Sequence, residues 1–202
     1  MTLQVYGDLG SGNCLKVKYI ADATGTPYVW REVLARSGGT STPEFLALNP
    51  AGQMPVVVLD DGRPLAQSNA ILRYLAHGSR FIPADRYAAA KVDEWLFWEQ
   101  YSHEPTVAVA RARVVYDGQA IADLDPALVA RANKALDRLE QALTNQAFLV
   151  GDSMTIADIA LVAYTRQAGD AGFDLTARPA LRAWIAACEH ELGLPSLQVA
   201  EG

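Results

Sequence analysis

The spacing of apolar positions changes character near residue 80. Before it, short apolar runs alternate with turn clusters. Leu3 to Tyr6 is β-prone, the turn-rich Gly7 to Gly12 follows, and Cys14 to Ala23 sets Leu15, Val17, Tyr19 and Ile20 among lysines, predicting strand, loop and helix. Pro27 to Leu34, rich in Tyr, Val and Trp, predicts a second strand. After the Gly/Ser/Thr loop from Ser37, Thr42-Pro43-Glu44 supplies a cap, a proline at the first helical position and an acid, predicting a short helix through Leu48. Asn49-Pro50-Ala51-Gly52 ends it. Pro55 to Asp60 holds four consecutive apolar residues and reads as a buried strand, and Asp60-Asp61-Gly62 marks a hairpin into Arg63 to Leu65. Ser68 to His77 places Ile71, Leu72 and Leu75 at helical spacing, closed by Gly78. The predicted order is βαβαββα.

From Ala84 onward the pattern is helical throughout. Ala84 to Tyr116 is one long stretch dense in Trp and Ala, with Pro105 expected to kink it. Further helices start at Asp125-Pro126, at Thr155 and near Pro179. His77 to Asp85, with Gly78 and Pro83, is the natural linker between an α/β domain, residues 1–78, and an all-α domain, residues 85–202. Thr155 and Asp158 predict a capping box, with Met154 and Ile159 as its hydrophobic staple.

Composition narrows the function classes. Half of the 202 residues are apolar, enough for a full core without staples. A net charge of -6 lacks the basic footprint of nucleic-acid binding. The two cysteines, Cys14 and Cys188, suit neither a disulfide framework nor a metal site. MTLQVYGD carries no basic and apolar leader pattern, and no apolar run reaches the ~18 residues of a membrane span, so a cytoplasmic protein is expected.

Three clusters could carry chemistry. Gln53-Met54-Pro55 sits between a helix-ending turn and a strand. A cis bond there would present the Met54 N–H and C=O to an extended peptide, whereas an ordinary trans proline would only start the strand. Gln67-Ser68 begins a helix, where free N–H groups and a partial positive charge suit a carboxylate, or the serine simply caps. Gly7-Asp8-Leu9-Gly10-Ser11-Gly12-Asn13-Cys14 feeds the first helix. A hydroxyl or amide there could donate to a sulfur anion and depress a thiol pKa, or again only cap.

Four strings together resemble the cytosolic glutathione transferases along nearly the whole chain. They are Ser11-Gly12-Asn13-Cys14-Leu15-Lys16-Val17; Pro43-Glu44-Phe45 running on to Asn49-Pro50-Ala51-Gly52-Gln53-Met54-Pro55-Val56; Gln67-Ser68-Asn69-Ala70-Ile71; and Gly151-Asp152-Ser153-Met154-Thr155-Ile156-Ala157-Asp158. The resemblance implies a thioredoxin-like domain followed by a helical bundle, a cis Pro55, and glutathione as co-substrate. Met54 would pair with its cysteinyl part, Gln67 and Ser68 would hold its γ-glutamyl end, and Gln53 would lie at the rim. It also implies a homodimer and a small electrophile or disulfide as second substrate.

Ser11 matches the catalytic serine of such proteins, and Asn13 or Cys14 match alternatives in bacterial members. Tyr6 reads as strand core. Around Ser37 to Ser41 the chain lacks the His, Lys or Trp with which many relatives reach the glycine carboxylate, and only Arg36, Thr40 and Ser41 stand nearby. The second substrate is expected against the long helix with Trp95, Trp98, Tyr101, His103 and Arg111. The three aromatics at i, i+3 spacing suit packing better than a ligand shelf, and His103 reads as a surface or hydrogen-bonded residue. Arg111 and Arg113 suit an acidic co-substrate or a solvated face. The expected reaction is thiol conjugation, with glutathione-dependent disulfide or peroxide reduction and a non-catalytic adapter as alternatives.

Overall fold

The structure is a computed structural model. It describes residues 2–196, which divide between Ile82 and Pro83 into an α/β unit and a helical unit. In the first, β1 (Leu3–Gly7), β2 (Tyr28–Glu32), β3 (Val56–Val58) and β4 (Pro64–Ala66) form one sheet in the order β2-β1-β3-β4. β1 and β2 run parallel, joined through α1 (Gly12–Ala23) as a parallel pair requires, while β3 is antiparallel to both β1 and β4. With α2 (Pro43–Leu48) and α3 (Ser68–Leu75) the order is the expected βαβαββα.

Strand alternation sorts side chains onto two faces. Val5 and Val57 pack with Val17 of α1 and Ile71 of α3, whereas Tyr6 and Val56 pack with Val33 and Phe45 of α2. Each fully buried Val or Ile contributes about 1.5–3 kcal/mol over exposure, so a one-residue slip that exchanged the faces would be strongly opposed. Both faces are covered, which is why residues 56–59 read as an unbroken apolar run.

The helical unit starts with α4 (Arg86–Trp98), capped by Asp85, whose carboxylate accepts from Ala88 N at 2.8 Å. Around Pro105, where a kink was expected, the chain widens into a π-helical segment, Glu99–Ala108, before α5 (Val109–Val115). Proline lacks an N–H and crowds the preceding turn, and a wider turn relieves both. Thr106 Oγ1 lies 2.8 Å from Ser102 O and 3.0 Å from His103 O, within donating distance of both carbonyls. The widening also corrects the aromatic stripe: Trp95 is buried, Trp98 half-buried and Tyr101 87% exposed. Trp95 and Trp98 meet edge to face at 5.2 Å, and the Arg138 guanidinium lies over both rings.

His103 is fully buried, 3.0 Å from Thr165 Oγ1. The same hydroxyl lies 2.7 Å from Leu161 O, within donating distance. Arg111 is also buried rather than solvated, and pairs with Asp170 at 2.8 Å. α6 (Pro126–Leu143) packs on the π segment and on α8 (Pro179–Leu192). Every residue of α7 (Ile156–Thr165) is buried, the pattern of a central helix. Its start carries the predicted capping box: Thr155 Oγ1 accepts from Ala157 N at 3.2 Å and Asp158 Oδ2 from Thr155 N at 2.8 Å, with Met154 and Ile159 fully buried beside it.

Candidate functional site

Register brings the three N-terminal clusters to one end of the sheet. Tyr6 pairs with Val56, and Val56 with Ala66. One step further along each strand lie the loop after Gly7, the Met54–Pro55 bond and the Gln67-Ser68 start of α3. That bond is cis. The Met54 backbone N–H and C=O bond to no described residue, while Asn49 Nδ2 holds the neighbouring Gln53 O at 2.7 Å. Half-buried backbone groups of this kind ordinarily find partners, and they are placed to pair with an extended chain.

The helix starts at this end differ from those of the other α-helices that begin from a loop. α2, α4, α6 and α7 are each capped by their own N-cap side chain, and α8 by the Glu140 carboxylate, which accepts from Ala180 N and Leu181 N. Ser11 at the start of α1 and Gln67 at the start of α3 make no cap bond. Gln67 is also the one described non-glycine residue with positive φ, at 68°. A side chain held in that region is strained, and such strain concentrates at ligand sites. The simple capping role considered for Ser11 is therefore not realised, and its hydroxyl reaches the Cys14 sulfur instead.

Asn13 joins the first turns of α1 and α3. Its Oδ1 accepts from Lys16 Nζ at 2.8 Å and from Ser68 Oγ at 3.1 Å, and Lys16 Nζ lies 3.4 Å from Asn69 Oδ1. Ser68 is buried and Lys16 has no exposed surface. Neither the burial of Lys16 nor the strain at Gln67 was read from the sequence, although Lys16 does sit between the apolar positions Cys14 and Val17 on one side of α1.

Cys14 is fully buried, and burial pushes its thiol up to about 11 against the pull of hydrogen bonds from the Asp8 backbone and Ser11. At pH 8 roughly one thiol in a thousand would be ionised. Native protein incubated with iodoacetamide at pH 8 is expected to stay unmodified at Cys14 and to react once unfolded, as followed by mass spectrometry. Rapid labelling of the native chain would contradict this environment. Arg36, Thr40 and Ser41 lie on two 3₁₀ turns, Ala35–Ser37 and Gly39–Ser41, between β2 and α2. A cleft of about 640 Å³ lined by Tyr6, Trp30, Val33, Gly39, Thr42 and Phe45 opens beside them.

In the helical unit a second cleft, about 680 Å³, is lined by Trp98, Tyr101, Thr106, Arg131, Lys134 and Arg138. Among the described residues no group of three or more His, Cys, Asp and Glu side chains could hold a metal ion, and no helix is long and apolar enough to cross a membrane.

Residues 10–77 match the family model of the glutathione S-transferase N-terminal domain and residues 101–191 that of the C-terminal domain. The chain is 31% identical to glutathione S-transferase theta-3 of Mus musculus, over 96% of this chain and 84% of that protein. It is also 31% identical to glutathione S-transferase 3 of Zea mays, over 90% and 86% of the two chains. A glutathione S-transferase structure from Pseudomonas fluorescens superposes with a TM-score of 0.92 at 44% identity, covering 98% of this chain and all of that one. The chain therefore belongs to the glutathione S-transferase family and is an enzyme of the transferase class.

Proposed function

We propose that the α/β unit binds glutathione at the end of its sheet and presents the thiol, as thiolate, to a small electrophile. The observation that carries this reading is the convergence of unpaired Met54 backbone groups with two helix starts whose N-cap side chains are not used for capping. Met54 pairs with the cysteinyl residue as an added strand would. Gln67, Ser68 and the α3 N-terminus take the γ-glutamyl carboxylate, which the partial positive charge of a helix start favours. Gln53 borders that site, and Pro55, buried beneath it, fixes the turn. The sulfur then faces the Ser11–Asn13 turn, where a donated hydrogen bond favours the ionised thiol.

Ser11 is the leading donor, with Asn13 second. Ser11 gives up only a bond to a thiol sulfur, a weak acceptor, to meet the ligand. Cys14 ranks last, because a buried, un-ionised thiol suits neither mixed-disulfide chemistry nor reduction of peroxides. The enzyme supplies proximity and a stabilised nucleophile, and the bond to the electrophile forms as the leaving group departs. A cytoplasmic homodimer fits the family and the exposed aromatics Tyr74, Tyr87, Phe97 and Tyr101.

Glutathione titration tests the reading directly. At ~100 times Kd it is expected to stabilise the protein by roughly 2.7 kcal/mol, a rise of about 5–10 °C in Tm, with heat released or absorbed on calorimetric titration. No heat and no thermal shift would leave a non-catalytic adapter of the same fold as the better account.

A further inference from the structure

The charges of α6 are sorted by side. Its acids are engaged at α8: Asp137 pairs with Arg178 at 2.7 Å, and Glu140 accepts from Ala180 N and Leu181 N. Its cations Arg131, Lys134 and Arg138, at i, i+3 and i+7, form one stripe and line the cleft of about 680 Å³ beside the π segment. Among the described residues, no acid lines that cleft. Elsewhere in this chain of net charge -6, Lys18, Lys91, Arg111 and Arg166 pair with carboxylates, but these three cations meet none among the described residues. Like charges three and four residues apart on a helix repel, so the stripe weakens its own helix and an anion would relieve it.

The other wall of the cleft supplies aromatic surface. With the helix widened from Glu99 onward, Tyr101 lines the cleft with its ring 87% exposed and stacked on no described ring. Such π-helical turns are frequent at functional sites. The Arg138 guanidinium lies over Trp98 at 4.7 Å and Trp95 at 5.1 Å, which holds the cation in place while its planar fork of N–H donors meets no carboxylate. We propose that this cleft binds a nucleoside phosphate, with the phosphate among Arg131, Lys134 and Arg138 and the base on Tyr101. Three cations suit a phosphomonoester, which carries close to two negative charges and three accepting oxygens, better than a singly charged carboxylate. An exposed aromatic ring accepts any base, since every base has a π-face. The overall negative charge disfavours a long nucleic acid, whereas one phosphate meets only the local field. The volume falls within the 300–1,000 Å³ of ligand clefts. All of these residues belong to the helical unit, so this binding does not depend on glutathione in the α/β unit.

Calorimetric titration of the full chain with adenosine monophosphate and guanosine monophosphate reads this binding, with adenosine and inorganic phosphate as partial ligands. Both nucleotides are expected to bind with Kd below about 1 mM, and each partial ligand at least about tenfold more weakly. Raising the salt from about 0.1 M to about 1 M should weaken the nucleotides and inorganic phosphate but not adenosine. Tyr101→Ala is expected to raise the nucleotide Kd about tenfold through loss of the stacked base. Lys134→Glu, which reverses one charge of the stripe, is expected to raise it by more than that. Both side chains are exposed, so Tm should stay within about 2–3 °C of wild type. No heat with either nucleotide overturns the assignment. An affinity unchanged in both variants places the ligand elsewhere on the chain and overturns it equally. Inorganic phosphate that binds as tightly as the nucleotides also overturns it, because the ring then contributes nothing. Should Lys134→Glu not fold, Arg131→Gln and Lys134→Gln decide, since each removes a charge without adding its opposite.

Discussion

Asp158→Ala is expected to destabilise the protein by about 4 kcal/mol and to lower Tm by about 10 °C. The capping box alone would suggest roughly 1 kcal/mol. The structure raises that figure because the carboxylate does more than cap α7. Oδ1 accepts from Leu149 N and from Trp184 Nε1, each at 2.9 Å, while Oδ2 accepts from Thr155 N at 2.8 Å and Thr155 Oγ1 at 3.0 Å. Trp184 is 1% exposed and Asp158 fully buried, so alanine would strand an indole N–H and two backbone amides away from water. Each stranded donor costs about 1–3 kcal/mol. Burial pushes the Asp158 carboxyl up while these four donors oppose it. Asp158→Asn should recover little, since a carboxamide offers one oxygen to four donors and turns its NH₂ towards two of them. Thermal unfolding of both variants checks this, and a Tm within 2–3 °C of wild type for Asp158→Ala would show that the four bonds matter little.

Local patterns made much of this fold readable. The Thr155–Asp158 box needs only residues three apart, and the Thr42-Pro43 and Asp125-Pro126 helix starts carry their caps in the sequence. The Gln53-Met54-Pro55 turn was legible through its resemblance to a family, because the local string alone left a trans bond open. What stayed hidden depends on contacts distant in sequence or on a change of helical period. Lys16 reads as one lysine among several on α1, yet it is fully buried, with Asn69 Oδ1, 53 residues later, 3.4 Å from its Nζ. Tyr101 follows Trp95 and Trp98 at helical spacing, yet the π segment begins at Glu99, each residue then turns through a smaller angle, and the tyrosine leaves the packed face. The strain at Gln67 had no signal in the residue type, since glutamine has no preference for positive φ.

Ser11→Ala is expected to lower kcat/KM for a model electrophile by roughly 30-fold at pH 6.5, the equivalent of about 2 kcal/mol for one hydrogen bond to a charged sulfur. Stability should hardly move, within about 0.5 kcal/mol, because the hydroxyl caps no helix amide and forfeits only its contact with the Cys14 sulfur. The pH dependence separates thiolate stabilisation from a change in substrate binding. A donor to the sulfur lowers the bound thiol's pKa, so the rate in the wild type rises with pH only up to that lowered value. Without the donor the pKa is higher, the whole profile moves to the alkaline side, and the deficit is full below the wild-type pKa. It then shrinks as pH climbs through the variant's own pKa, where both proteins hold the ligand as thiolate. A deficit that stays constant across the titration would instead place Ser11 in binding or orientation, and undiminished turnover at every pH would pass the role to Asn13, whose carboxamide Lys16 and Ser68 already hold in place.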